Sequence, residues 1–393
     1  MAGNGTATGG RAAKAVITGV ANTACGKLEG STALGLHATV ARDAVADAGI
    51  DLRDVDGLIC AYSFTEPHPM LASVVAEYLG IQPAYSACVS AGGASGALQV
   101  MTAKALVESG TCRHVLCLTG DNRLSGMAPG AAVAALAQFG HSQFEVPYGI
   151  TIPAAYALVA KRYMHDTGLT AEHMAHIAVT TRNHARRHPD AQMQKPLTVE
   201  EVMDSRVIAD PLRLFDCALI SDGAAGILVS AEPTDRRPVI RIAGAGQKNT
   251  HEHLIAAPRD LQSFGCKHSS RDAFAEAGMT VADIDVAEIY DSFTITLAIE
   301  LESIGFFAKG TVGPAAAEGA LDLGGALPCN THGGLLSFGH SGAAGGAFHV
   351  VEGVRQLRGE AEGRQVAGAA RAFCHGDGGV LSAHVSLILE REA

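Results

Sequence analysis

Apolar and polar positions change their period several times along the first 120 residues. Ala15–Val20 (AVITGV) is a short, nearly continuous apolar run, the pattern of a strand buried on both faces. Leu36–Ala48 repeats its apolar positions every three to four residues and is followed by Gly49, so a helix with a glycine stop is predicted. The same reading predicts a strand at Val55–Cys60, a helix at Pro69–Leu79 and a short strand at Tyr85–Ser90. A GGASG turn, a long helix at Ala97–Ser109 and a strand at His114–Thr119 (HVLCLT) follow. Strands alternating with helices at this spacing argue for a parallel or mixed sheet covered by helices.

The pattern then repeats. Residues 41–64 read ARDAVADAGIDLRDVDGLICAYSF and residues 270–293 read SRDAFAEAGMTVADIDVAEIYDSF, with ten of 24 positions identical without a gap. Two alanine-rich helices share some of that by composition, but not the matched strand after each helix. We read two copies of one α/β unit. Asp222–Ser230 (DGAAGILVS) closes the first copy as a strand and Val239–Gly244 opens the second. This places the halves at 1–235 and 236–393, packed face to face. An excursion of about 127–206 is inserted in the first half, with Phe144–Tyr148 (FEVPY) and a helix from Ala154 to Thr167.

At 393 residues, 48% hydrophobic and 18% charged, the chain is globular and too long for one small core. The net charge of −11 offers no basic field, which argues against nucleic acid. Nine cysteines, an odd number without a CxxC pair, argue against a zinc site or disulfide framework and for a reduced cytoplasm. The opening MAGNGTATGGRAAK has no apolar core of a leader and is expected to be a flexible tail. No apolar run approaches membrane-spanning length.

Three glycine-rich runs carry the candidate chemistry: Gly92–Gly96 (GGASG), Asn330–Gly346 (NTHGGLLSFGHSGAAGG) and Cys374–Gly379 (CHGDGG). Glycine lets backbone approach a ligand closely, so His332, His340 and Cys374 could face a pocket with little bulk around them. Each run could equally be a tight turn; three of them, two bearing His or Cys, suggest one shared site. Arg182, Arg186 and Arg187 in RNHARRHP read either as a solvated helix end or as a clamp for a phosphate-bearing ligand.

Together ANTACGKLEG, PLRLFDCALISDGAA, EIYDSF, NTHGG…GHSGAAGG and CHGDGG resemble the thiolase superfamily, nearest its sterol-carrier-protein-type branch. The resemblance implies an α/β fold of two similar halves in five layers, α-β-α-β-α, with a loop domain in the first. It implies catalytic groups at His340, the GHP histidine, and at Cys374, the second cysteine, although Asp377 interrupts that glycine run. Tyr290 stands where the family places Asn or His. Counting back from QVMTAKALVESG puts the nucleophile position on Gly93, not on a cysteine; Cys88 lies five residues earlier, in the strand.

A thiolase needs a thiolate to carry the acyl group, and Gly93 cannot form an acyl-enzyme. The chain is similar in this to the thiolase-like aldolases of steroid side-chain breakdown, which lack that cysteine and carry a tyrosine at the position of Tyr290. That branch replaces the GHP histidine with a second tyrosine, so His340 is the thiolase-like feature here. The resemblance implies retro-aldol cleavage of a 3-hydroxyacyl-CoA, with Gly93 and Gly378 lining the oxyanion pocket and no cofactor or metal. It also implies a homodimer paired near Ser86–Ser90 and a small partner of OB-fold and zinc-ribbon type. A true acyltransferase using Cys88 or Cys374, and a non-catalytic lipid-binding or scaffold subunit, remain the alternatives.

Overall fold

The computed structural model describes residues 14–392 except 129 and 235–237. The expected tail at 1–13 and the boundary between the halves at 235 lie outside the described residues. The strands are β1 (Val16–Asn22), β2 (Gly57–Cys60), β3 (Tyr85–Cys88), β4 (His114–Asn122), β5 (Val207–Ala209), β6 (Leu212–Arg213), β7 (Asp222–Ser230), β8 (Ile240–Asn249), β9 (Val286–Ile289), β10 (Arg371–Gly378) and β11 (Ala383–Arg391). The α-helices are α1 (Ala33–Ala48), α2 (Leu71–Leu79), α3 (Ser95–Glu108), α4 (Ala131–Ala137), α5 (Ile152–Thr167), α6 (Ala171–Ala185), α7 (Val199–Asp204), α8 (Cys266–Ala277), α9 (Thr294–Ile304), α10 (Val312–Ala317) and α11 (Ala344–Arg358). The alternation predicted for the first 120 residues is present, with ends shifted by a few residues. The strand predicted to reach Ser90 ends at Cys88, and the one predicted to stop at Gly244 runs on to Asn249.

Nine strands form one sheet in the order β3-β2-β4-β7-β1-β8-β11-β10-β9. Each half repeats one ladder. In the first half β2 and β4 are parallel and β7 is antiparallel to both β4 and β1. In the second half β9 and β10 are parallel and β11 is antiparallel to both β10 and β8. The half-sheets join where β1 pairs β8, antiparallel, at Val16↔Arg241 and Ile17↔Ile240. α3 packs on β4 and also on β10; α11 packs on β10 and also on β7. The two helices therefore form the middle layer between the half-sheets, while α1 and α8 cover the outer faces.

The sequence repeat is a structural repeat. Gly49 and Gly278 end α1 and α8 in the left-handed conformation, at φ 73° and 67°. A single 3₁₀ turn then leads into β2 and β9 respectively. The outer helices also approach their strands through equivalent glycines. A Cβ on Gly19 would lie 2.0 Å from the Ala44 carbonyl oxygen, and one on Gly244 would lie 2.1 Å from that of Ala273. Neither contact leaves room for a methyl group. The segment between the halves supplies α4 to α7, and α6 packs against the turn at Gly334–Phe338.

Gly19→Ala and Gly244→Ala should each force helix and strand apart. The expected cost is roughly 1–3 kcal/mol, the usual penalty for overpacking. Thermal denaturation should report a lower Tm for both; an unchanged Tm for either would contradict the close contact.

Candidate active site

The N-termini of α3 and α11 meet at the seam. A Cβ on Gly346 would lie 2.2 Å from the Gly93 carbonyl oxygen, and one on Gly96 would lie 2.4 Å from the Ala347 nitrogen. Backbone thus touches backbone where the GGASG and GHSGAAGG runs enter their helices. The third run closes over the same place, since a Cβ on Gly92 would lie 2.9 Å from Gly378 Cα. These contacts explain why three distant glycine-rich stretches occur in one chain.

Tyr290 follows the end of β9, and its backbone N–H donates to the His375 carbonyl at 3.0 Å. Its hydroxyl lies 3.1 Å from His340 Nε2. A Cβ on Gly93 would lie 2.1 Å from the Tyr290 hydroxyl oxygen and 2.4 Å from the Asp377 carbonyl oxygen. Tyr290 therefore occupies the space that any side chain at position 93 would need. The structure brings Gly93, Tyr290 and His340 together, with Gly378 on the adjoining turn.

Burial pushes the Tyr290 phenol well above its usual range, helped by Tyr62 and Asp377 and opposed by the Arg123 cation. Burial also lowers His340 to about 3, with Arg123 and His349 acting in the same direction, while the Leu219 carbonyl accepts from its ring and opposes them. Both groups are neutral near pH 7. In the tautomer whose Nε2 carries the lone pair, Tyr290 donates to it.

The other candidates lie elsewhere. Cys374 is fully buried in β10 and its thiol faces the His349 carbonyl oxygen at 3.7 Å. A Cβ on Gly353 would meet its sulfur at 2.8 Å. Gly353 is seven residues along α11 from Gly346, or about 10 Å at 1.5 Å per residue. Burial raises the thiol well above its usual range. Cys374 is thus a core residue beneath the seam, correcting the expectation that it reaches the pocket. Cys88 is exposed on the edge strand β3, its sulfur accepting from the Ala72 N–H at 3.3 Å.

The arginine cluster does not form a clamp. Arg182 is buried, donates to Ser337 Oγ at 2.9 Å and to the Lys195 carbonyl at 3.3 Å, and lies over the Phe215 ring. Arg186 and Arg187 are exposed, and Arg187 reaches the Gly363 carbonyl. Arg182 thus braces the Gly334–Phe338 turn that precedes His340.

Four further residues surround the pair, and of these only Asp377 had stood out in the sequence, as the interruption of a glycine run. Tyr62 and Arg123 lie just past the carboxyl ends of β2 and β4, where ligands gather in open α/β sheets. Burial raises the Tyr62 phenol to about 12. Tyr156 donates to Asp377 Oδ2 at 2.9 Å and to the Gly379 carbonyl at 3.1 Å. Burial keeps the Asp377 carboxyl well above its usual range, with Glu300 adding to the effect. A signal for Tyr62 was present: it sits one place after Ala61, which the repeat aligns with Tyr290.

Two buried groups have metal-ligand chemistry. Glu288 is already engaged, accepting from the Thr331 N–H at 3.0 Å and the Thr331 hydroxyl at 2.7 Å, and meeting His332 Nδ1 at 3.0 Å. Glu300 lies 3.5 Å from His375 Nε2 and 3.7 Å from His384 Nδ1, and neither of its oxygens has a hydrogen-bond partner among the described residues. The two imidazoles of that group already pair with each other, His375 Nε2 lying 3.1 Å from His384 Nδ1.

A duplicated α/β chain whose reacting groups sit where two helix N-termini cross defines a class. The chain belongs to the thiolase family: residues 14–233 match its N-terminal domain and residues 246–391 its C-terminal domain-like unit. It is 36% identical over 361 residues to the 17-hydroxy-3-oxo-4-pregnene-20-carboxyl-CoA lyase of Mycobacterium tuberculosis, covering 88% of this chain and 92% of that one. It is 34% identical over 382 residues to the acetyl-CoA acetyltransferase of Methanothermobacter thermautotrophicus, covering 94% and 98%. Among solved structures, the Ltp2-ChsH2(DUF35) aldolase aligns with a TM-score of 0.84 and 32% identity over 96% of this chain and 98% of that one.

Gly93→Ala should displace the Tyr290 ring and lower the Tm by several degrees. Combining it with Tyr290→Ala removes the clash with the ring and leaves that with the Asp377 carbonyl, so the two losses should be less than additive in a double-mutant cycle of Tm values. Additive losses would mean that the two residues do not share this space.

Proposed function

We propose that the protein is a carbon–carbon lyase that cleaves a 3-hydroxyacyl-CoA into a ketone or aldehyde and a shorter acyl-CoA, without an acyl-cysteine intermediate. One observation carries this reading. Tyr290 fills the position from which a nucleophile at residue 93 would act. Cys25, whose sulfur a Cβ on Gly339 would meet at 2.8 Å, is raised well above its usual range by burial and by Asp190 and Asp222.

The neutral Tyr290–His340 pair can move one proton in each direction. The Tyr290 oxygen takes the proton of the substrate 3-hydroxyl while its own proton passes to His340 Nε2. The C2–C3 electron pair then moves into the thioester as the carbonyl product forms. Two helix N-termini at the seam favour the negative charge that develops there. Protonation of C2 from the same pair restores the resting state. The reaction requires acid–base groups and the CoA thioester itself, with no further cofactor.

The acyl chain is bulky and apolar in this reading. A cleft lined by Phe139, Ile150, Ile152, Leu254 and Val380 reaches Gly379, whose carbonyl accepts from Tyr156. The names of the lyase and aldolase relatives point to a steroid side chain. We further propose a homodimer paired through the exposed edge strand β3 and a small protein partner, as the two-component name of the related aldolase suggests. No helix among the described residues is long and apolar enough to cross a membrane, and a cytoplasmic location is proposed with the reduced cysteines.

Acyl transfer is the second reading, favoured by the acetyltransferase relative and by the exposed Cys88 thiol. Turnover of a 3-hydroxyacyl-CoA by two variants separates them. Tyr290→Phe should lower cleavage about 10²–10⁴-fold, the usual worth of general acid–base catalysis, with folding nearly unchanged. Cys88→Ala should cleave at the wild-type rate. The reverse pattern, an active Tyr290→Phe enzyme and a dead Cys88→Ala enzyme, would sink the lyase assignment.

Because burial holds His340 near pH 3, cleavage should also keep its rate from pH 8 down through pH 6. A loss centred near 6.5, the ordinary histidine value, would instead indicate a solvated imidazole.

A further inference from the structure

Arg123 follows β4 directly and is 4% exposed. Its buried Nε has no hydrogen-bond partner among the described residues, and its guanidinium lies 5.1 Å over the Phe64 ring. Asp121, two residues earlier, is engaged elsewhere. It accepts from the Phe64 N–H at 2.6 Å, the Thr65 N–H at 3.3 Å, the Thr65 hydroxyl and the Asn122 N–H at 3.0 Å. Arg123 and Asp121 form no ion pair. Burying a cation is costly unless a partner compensates it. A ring face compensates only part of that cost.

The charge sits beside the reacting pair. A Cβ on Gly342, two residues after His340, would lie 3.3 Å from Arg123 Cδ and 3.6 Å from Nη1. The arginine stem thus runs along the His340 loop over a glycine that leaves it room. Its field reaches Tyr62, Tyr290 and His340, favouring the phenolate forms of the tyrosines and the neutral imidazole. A full positive charge is held next to an acid–base pair and has no ion-pair partner among the described residues.

We propose that Arg123 is a catalytic residue whose guanidinium binds the thioester oxygen of the acyl-CoA and holds it as the enolate. This deepens the lyase reading and rests on it for the physiological reaction. As the C2–C3 bond breaks, its electron pair becomes the C1–C2 double bond and the thioester oxygen takes the negative charge. That oxygen is the missing anionic partner of Arg123. When C2 regains a proton, the charge on the oxygen is discharged and the acyl-CoA is released. No electron acceptor or third reactant enters.

The test uses acetyl-CoA in D₂O, because exchange of its methyl protons needs the enolate but no 3-hydroxyl substrate. The full-length wild-type protein should exchange them. Arg123→Met should exchange about 10²–10³-fold more slowly, the usual loss of an oxyanion-stabilising donor, with its Tm within a few degrees of wild type. Arg123→Lys should recover part of the rate, since it keeps the charge without the planar fork. In Arg123→Met the pH-rate profile should also move upward, because the cation no longer opposes protonation of His340 and Tyr290. If Arg123→Met proves unfolded, Arg123→Gln replaces it. Exchange at the wild-type rate in the neutral variant, or no exchange by wild type, overturns the role of Arg123. Exchange that depends on Arg123 in a protein that cleaves no 3-hydroxyacyl-CoA upholds the role and refutes the lyase reading alone.

Discussion

The site depends on one steric fact: backbone and phenol meet at Gly93 with no room for a side chain. The Gly93 carbonyl touches the backbone of α11 at Gly346, and the Tyr290 ring covers its other side. Both contacts require glycine, for different reasons. The first lets the N-termini of α3 and α11 cross at backbone distance. The second lets a residue from β9 reach His340 across the seam. A cysteine at position 93 would have to evict the tyrosine, so nucleophile and phenol are alternative occupants of one volume. Choice of chemistry in this architecture is then a question of packing before it is one of reactivity.

Much of this was legible in the amino-acid sequence, and the reasons are local. Period and glycine stops placed α1, β2, α3 and β4, because each is an amphipathic or fully buried segment bounded by a turn. The repeat placed α8 and β9 by analogy with α1 and β2. Tyr290 stood out through the resemblance of EIYDSF to a family motif, and His340 through its glycine-rich run and the same resemblance. Cys374 stood out for the same reason and proved to be core. Alternation along β10 turns it toward α11, and a one-dimensional motif does not record which face a strand residue takes. Arg182 was misread because a cluster of charge in sequence need not be a cluster in space. Tyr62 and Arg123 went unnoticed because each is a single residue after a strand, and only the sheet order β2-β4 brings them side by side.

The interior beneath the site is unusually polar for so apolar a chain. Burial raises Glu288, but the hydrogen bond with His332 and the nearby His349 ring, 3.8 Å away, outweigh it and keep the carboxylate below its usual range. Asp291, adjacent to Tyr290, is raised to about 7 by burial although the Leu335 N–H donates to it at 2.7 Å. Glu352 accepts from Arg364 through both oxygens at 2.9 Å. Such pairs add little net stability against an apolar core, but leaving one member unpaired is costly. They fix the loops at 330–346 and 374–379 in one arrangement, and the Tyr290–His340 distance inherits that rigidity.

The two halves repeat one unit, yet the Tyr290–His340 pair belongs to one of them alone. His340 stands three residues before the N-cap of α11, and Ala91 stands three residues before the N-cap of α3. Tyr290 follows β9, and Ala61 occupies the matching place after β2. The scaffold therefore offers two equivalent locations, and at the second the matching residues, Ala61 and Ala91, carry methyl groups alone. A doubled architecture has thus become a single-sited one through the loss or gain of two side chains. The vacant half contributes helix and sheet as a wall for the other, so that duplication has ended in division of labour.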